Sequence, residues 1–448
     1  MPSNGLELLE FSKLKALLAS LAGYHLGRRR LEALAPFSER AAAEETLGLV
    51  AGLKRLDEAG RGLAAIELGD LGPVFRRLDR VGAALSPEAF LALGELLAAA
   101  REAKEVLADA DGESALRALG DPLTVLPHLE RAVERVFEPS GEIRDGASPV
   151  LRRIRRERER LREALRRRLE RLAAKISSPE APSVVTLRDG RYVLSVPLSR
   201  QSKVPGLVLD SSGSGQTVYV EPMASVRENN ALRETDAEER EEIRKILEAL
   251  TRDFAAEAGA LERNWRHLGT LDALRARVRL ARRWNGEKPE LSAARELRLT
   301  GARHPLLLEA RGAATDAAEA RASVVPLRLE LGGDARFLLV TGPNMGGKTV
   351  ALKCVGLLSV MAQCGCLIPV DPGCRLPWVE RWVADVGDEQ SLEQDLSTFG
   401  ARLGRWAEAL GAAGPGTLVL LDELGSGTDP TEGAALAQSV LERLVEAG

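Results

Sequence analysis

Residues 341–350 read TGPNMGGKTV and follow the apolar run Phe337-Leu338-Leu339-Val340. The apolar run predicts a buried strand, RFLLVTG, and VALKCVGLLSVMAQCG beyond the glycines predicts a helix. The junction holds Gly342, Gly347, Lys348 and Thr349 in the spacing G-x-x-x-x-G-K-T. With a strand before it and a helix after it, that spacing reads as a phosphate-holding loop rather than a chance turn. Glycines let main-chain N–H groups close around phosphate oxygens where a Cβ would intrude. The first turn of the helix adds unpaired donors and the positive end of its dipole. Lys348 offers a mobile cation to the β and γ phosphates, and Thr349 a hydroxyl to Mg²⁺.

A second apolar run, Thr417-Leu418-Val419-Leu420-Leu421, ends on Asp422-Glu423. A buried parallel strand carries chemistry at its carboxyl end. Asp422 would reach Mg²⁺, directly or through water, and Glu423 would orient an attacking water. An acidic pair after a strand says little alone; downstream of a complete phosphate loop it says much more.

Bulk composition sets the frame. The chain has 448 residues, 45% apolar and 29% charged, with aromatics at only 4%. That suits several soluble domains with cores of Leu, Ala and Val. Ten lysines among 62 basic residues leave arginine dominant, yet the formal net charge is −4. Nucleic-acid binding would therefore need a local patch. No apolar run is long enough to span a membrane and the start lacks a signal-peptide layout, so the expected location is cytoplasmic. Cys354, Cys364, Cys366 and Cys374 do not follow a zinc spacing, and small apolar neighbours make Cys354 read as a buried hydrophobe.

Residues 1–146 read as an all-helical domain to about 120, with Ser86-Pro87-Glu88 starting one helix, and as short elements and turns over 121–146. Residues 147–262 read as a two-helix arm. From Leu151 to Leu172 there are 11 Arg against 4 Glu, while 234–248 carry 7 acids against 3 bases. The basic helix has two readings, contact with phosphates or pairing with the acidic helix running back beside it. Residues 183–222 alternate around Asp189-Gly190 and Gly213-Ser214-Gly215 and predict a small antiparallel β module at the arm's tip. SSGSGQT there reads as a hairpin turn, since a strand follows it. Residues 263–290 return to the helical core. From 291 to 448 strands alternate with helices, which predicts an α/β domain with a parallel sheet.

GPNMGGKT, ADVGDEQSLEQDLSTF and LLDELGSGTDPTEGAAL together resemble the ATPase domain of MutS proteins, ABC-type members of the phosphate-loop ATPases. LEFSKLKALLASLAGYHLGRRRLEALAP, RVGAALSPEAFLALGELL and RYVLSVP with SGSGQTVYVEP resemble the second bacterial MutS paralogue, which lacks the mismatch-reading domain. Phe37-Ser38-Glu39 mimics a mismatch-reading wedge but follows a helix, with no β-rich domain around it.

The resemblance implies an ABC-type ATPase of incomplete parallel sheet, preceded by a helical lever domain and the arm. It implies ATP and Mg²⁺ as cofactors, bound by Gly342, Pro343, Asn344, Met345, Gly346, Gly347, Lys348 and Thr349. Lys348 and Glu423 would be catalytic, and Thr349 and Asp422 would hold the metal. Ser397, in the signature segment Ser397-Thr398-Phe399-Gly400, and Asp429, in Ser426-Gly427-Thr428-Asp429, would complete the site of the other subunit in a homodimer. Asp388 and Gln390 match GDEQ, near metal and water, and His304 of RHP would cap or pack.

Two departures stand out. Gly400-Ala401-Arg402-Leu403 replaces more polar residues, and the chain stops at Val445-Glu446-Ala447-Gly448, one strand before the family's Thr-His switch and before its nuclease domain.

The implied function is a dimeric ATP-driven clamp on branched or joint DNA that suppresses recombination, with stalled ribosomes and rRNA as a second target. The full protein would also be an endonuclease. A rival from another class is a nucleotide-binding switch that does not hydrolyse. A chromosome-organising ABC ATPase would place its arm between the two nucleotide motifs, whereas here the arm precedes both. A transporter subunit would carry LSGGQ, which is missing.

Overall fold

The computed structural model describes residues 4–447 except 81, 83, 111–112, 178–181, 214, 313–316, 334, 343–345, 388–394 and 426–428; the side chains of 4, 317–318 and 395–402 are likewise outside the description. The chain divides into two units. One is made of residues 1–70, 99–124 and 263–448, the other of 71–98 and 125–262.

In the second unit, helix Pro149–Ile176 begins at Ser148, whose Oγ accepts a bond of 2.9 Å from the Leu151 N–H. Leu165, Leu169 and Ala173 on this helix and Leu232 on helix Val226–Ala256 form one apolar cluster with Leu194, Val196, Val218 and Val220 of the tip module. The module is four antiparallel strands, Val184–Arg188, Arg191–Pro197, Gly206–Ser211 and Thr217–Pro222, in the order first, second, fourth, third. Asp189 and Gly190 both have positive φ, 48° and 71°, as a two-residue hairpin turn requires.

The two long helices pair through charge as well as apolar contact. Glu239 accepts from Arg155 Nε at 2.8 Å and also pairs with Arg158, and Arg168 pairs with Glu228. Asn229 fixes the sheet to the arm. It is fully buried, accepts from the Tyr192 N–H and donates to the Tyr192 carbonyl, each at 2.9 Å, and donates to Glu221 at 2.9 Å.

Residues 121–146 hold more regular structure than their prolines suggest. Pro127 opens helix Pro127–Val136, which buries Leu129, Ala132, Val133 and Val136. At the first helical position proline has no N–H to lose, so it starts a helix instead of ending one.

In the first unit, Asp272 is fully buried and accepts from the main-chain N–H groups of Tyr24 at 3.0 Å and Gly23 at 3.3 Å. This ties the turn between helices Phe11–Leu21 and His25–Glu32 to helix Ala258–Trp284. Strands Arg381–Asp385 and Thr417–Leu421 pair in parallel, Leu421 beside Asp385. A mixed sheet holds Glu290–Ser292, Arg375–Pro377, Leu297–Ala302 and Leu327–Leu331, in that order. Helix Lys348–Gln363 is buried from Cys354 onward. At Gly356 a Cβ would lie 2.5 Å from Leu9 and 2.7 Å from Leu420, so only glycine lets this helix approach the strand so closely.

The expected strand before the glycine loop is not formed. Residues 335–340 have no strand structure, and Phe337, Leu338, Leu339 and Val340 are exposed. A strand exists only where a neighbour takes up its N–H and C=O groups. Among the described residues nothing pairs with this segment, and Thr417–Leu421 is paired on one side only. Among the described residues the sheet that holds Thr417–Leu421 has two strands, where the alternation predicts a fuller parallel sheet.

The cysteines are all unbridged and buried, and burial pushes the Cys354 thiol up to about 12. His304 is 6% exposed; its carbonyl accepts from the N–H groups of Leu307 and Leu308 at the start of helix Pro305–Gly312, both at 3.1 Å. Its Nδ1 is buried without a partner among the described residues, and burial depresses the ring from 6.5 to about 4, with Glu10 opposing and Lys353 reinforcing the shift.

Two outcomes follow from this packing. Asn229→Leu strands the Tyr192 main-chain groups and should cost about 3 kcal/mol, read as a lower urea midpoint at unchanged slope; an unmoved midpoint would refute the anchoring role. A ring held neutral in the fold binds fewer protons than in the unfolded chain. Its contribution is complete above pH 6.5 and is lost as pH falls toward 4. Acidification from pH 7.5 to 5 should therefore cost the parent chain about 2 kcal/mol more than His304→Gln, and denaturation at both pH values measures the difference.

Candidate nucleotide site

The start of helix Lys348–Gln363 and the end of strand Thr417–Leu421 meet. Thr349 Oγ1 donates a short hydrogen bond to Asp422 Oδ2, bridging 73 positions of sequence. Gly347 is the N-cap with φ 79°, a left-handed conformation that glycine adopts without strain, and its carbonyl accepts the Ala351 N–H at 2.9 Å. Among the described residues no heavy atom lies within 4 Å of a Cβ placed on Gly342 or Gly347. Lys348 folds back along the loop and its Nζ donates to the Gly342 carbonyl at 2.6 Å.

The strand end is itself held. The Asp422 N–H bonds the Asp385 carbonyl at 2.8 Å, and Asp422 Oδ1 accepts the Glu423 N–H at 3.1 Å. Glu423 has φ 50°, a costly backbone for a non-glycine residue that persists only where its surroundings impose it. The sharp turn carries Glu423 off the strand beside Asp422. Asp385, 5% exposed at the end of the neighbouring strand, accepts from Arg405 Nε at 2.5 Å and Trp406 Nε1 at 3.0 Å. Both donors lie on helix Asp395–Ala412, so one buried carboxylate fastens that helix beside the pair of parallel strands.

A hydroxyl and a carboxylate converging at a helix start, with a lysine beside them, are hard oxygen donors suited to a small divalent cation and a polyphosphate. Of the loop and strand-end residues singled out from sequence, Gly342, Gly346, Gly347, Lys348, Thr349, Asp422 and Glu423 are described; Lys348 bonds Gly342, Thr349 bonds Asp422, and Asp422 accepts from the Glu423 N–H. Pro343, Asn344, Met345, Asp388, Gln390 and Ser426–Thr428 lie outside the described residues, as do the side chains of Ser397–Gly400. Asp429 Oδ1 accepts from the N–H groups of Thr431 at 2.9 Å and Glu432 at 3.3 Å, capping helix Pro430–Ala447. Asp385, Arg405 and Trp406 escaped the sequence reading. The signal was present in Arg381-Trp382-Val383-Ala384-Asp385, a second apolar strand ending on an acid, as Thr417–Asp422 does.

Residues 338–448 match the family model for MutS domain V. The whole chain is 39% identical to the protein named Endonuclease MutS2 of Pelotomaculum thermopropionicum, covering 56% of it. It is 38% identical to that of Thermomicrobium roseum, covering 57%, and 36% identical over 99% of the chain to that of Bacillus velezensis, covering 56%. The chain thus spans about half the length of the curated relatives it matches. A glycine loop and an acidic strand end brought together within a MutS domain, in a chain that aligns from end to end with MutS2 proteins, place it in the MutS family as a paralogue of the MutS2 type.

Proposed function

We propose that this chain binds ATP with Mg²⁺ and couples that binding to a grip on DNA. The observation that carries the reading is the bond between Thr349 and Asp422, which assembles two oxygen donors for a cation at the mouth of a glycine loop. Thr349 and Asp422 would hold the metal. The main-chain donors of the loop from Gly342 to Gly347 would surround the phosphates, with Pro343, Asn344 and Met345 in the same loop, and Lys348 would leave the Gly342 carbonyl for the phosphate oxygens. When bound, Mg²⁺ would supply charge neutralisation across the β and γ phosphates. Glu423, turned out of the strand beside Asp422, would orient the attacking water.

The homodimer belongs to the same proposal. Ser397, on the helix fastened by Asp385, and Asp429 would meet the partner's nucleotide, Asp429 while continuing to cap its own helix. The arm and its β module would enclose branched or joint DNA, and suppression of recombination in the cytoplasm is the role we infer. Action on ribosomes is the same grip applied to rRNA. The endonuclease in the relatives' name is assigned to no residue here. A second reading, nucleotide binding without turnover, draws on the unpaired segment 335–340, since a loop whose leading segment lacks a ladder holds its donors less firmly.

Lys348→Ala should weaken ATP binding at least about tenfold, about 1.4 kcal/mol, by equilibrium titration with a fluorescent ATP analogue. Glu423→Gln should retain binding and release phosphate at least about a hundredfold more slowly. Unchanged affinity in Lys348→Ala would overturn the nucleotide reading. Equal background turnover in the parent chain and Glu423→Gln would favour the non-hydrolysing switch.

A further inference from the structure

We propose that the groove between helices Phe11–Leu21 and His25–Glu32 is a docking site for the phosphodiester backbone of duplex DNA, a site separate from the arm; this rests on the nucleic-acid reading above. The arm holds the most arginines of any part of the chain. Its basic helix is the obvious candidate in sequence, but seven of its eleven arginines, Arg155, Arg158, Arg160, Arg162, Arg166, Arg167 and Arg168, are engaged by carboxylates of the same or the neighbouring helix. Much of that positive charge is neutralised in place.

The first unit presents the opposite balance. Residues 11–34 hold five Lys and Arg, namely Lys13, Lys15, Arg28, Arg29 and Arg30, against Glu32 as the single acid. Lys13 is taken by Glu10 at 2.6 Å. Arg28, Arg29 and Arg30 are exposed, and none has a carboxylate partner among the described residues. Arg30 donates to the Arg266 carbonyl at 3.4 Å, which leaves its charge intact. Lys15 lies 5.5 Å from the Phe11 ring centroid and has no carboxylate partner among the described residues.

Shape and spacing narrow the ligand. Lys15 and Arg28 line an open groove of about 570 Å³, together with the hydroxyl of Ser12, the carboxylate of Glu32 and Ser20, whose hydroxyl donates to the Leu17 carbonyl at 2.7 Å. Hydroxyls and guanidinium forks are the donors that phosphate oxygens take. Three successive helical positions diverge by about 100° each, so Arg28, Arg29 and Arg30 fan outward and do not converge on one small anion. A polymer with a phosphate at every repeat can engage the groove and the flanking arginines together. In a chain of net charge −4, such an un-neutralised patch is where an anionic backbone would settle.

The test is a salt titration of binding to a fixed-sequence DNA duplex by the full chain, the triple variant K15Q/R28Q/R29Q and the arm variant R166Q/R167Q. Thermal melting and ATP-analogue binding should match the parent chain in both variants. Each phosphate contact contributes about 0.9 to the slope of log affinity against log salt. The groove variant should flatten that slope by up to about 2.7 and the arm variant by much less. Binding by the parent chain with an unchanged slope in the groove variant would overturn the groove while leaving the nucleic-acid reading intact. So would a flattening seen with duplex RNA and not with DNA. No DNA binding by the parent chain at any salt would sink both.

Discussion

The hydrogen bond from the Thr349 hydroxyl to the Asp422 carboxylate is the constraint on which the nucleotide reading hangs. It ties the first turn of a helix to the residue that follows a strand, and both ends are braced from behind. The helix is set by close packing at Gly356 against Leu9 and Leu420, and the strand end by the Asp422 N–H on the Asp385 carbonyl. Without these supports, two polar side chains this far apart in sequence would not be held at bonding distance. A site on rigid elements keeps its geometry better than one on loops alone.

Asp385 extends the bracing outward. Its two oxygens are spent on Arg405 and Trp406, so a single buried carboxylate orders strand and helix together. Burial of an unpaired carboxylate would be costly, and the two donors offset that cost. Helix Asp395–Ala412 thereby has a fixed relation to Asp422 and Glu423. A shift of that helix would be felt through this pair of hydrogen bonds at Asp385 and, through the Asp385 carbonyl, at Asp422.

Much of this was legible in the residues. The glycine loop, the acidic strand end, the β module around Asp189-Gly190 and the opposed charges of the arm helices are local patterns with local causes. What was not legible depended on partners remote in sequence. Phe337–Val340 has the composition of a buried strand, but pairing decides strand formation and none occurs among the described residues. Pro127 looked like an interruption because a breaker and a helix start share a residue type. Asp385 looked like one acid among several until its donors, about twenty positions away, were placed around it. Arg28–Arg30 was less conspicuous than the arm's arginines because sequence shows charge without showing which charges are already paired.

The first unit is assembled from three separated stretches of chain, with Tyr24 bonded to Asp272 across 248 positions. During synthesis the opening helices must therefore wait for their partner. At roughly 5–20 residues per second, helix Ala258–Trp284 appears on the order of 10–50 s after residues 11–34. Over that interval Asp272 is not there to take the Gly23 and Tyr24 N–H groups between two helices whose Leu14, Leu18 and Leu31 are wholly buried in the finished fold. The arm and its β module, completed by residue 262, can collapse meanwhile. The opening helices are thus without helix Ala258–Trp284 for that whole interval, and Thr349 can meet Asp422 only after both have been made.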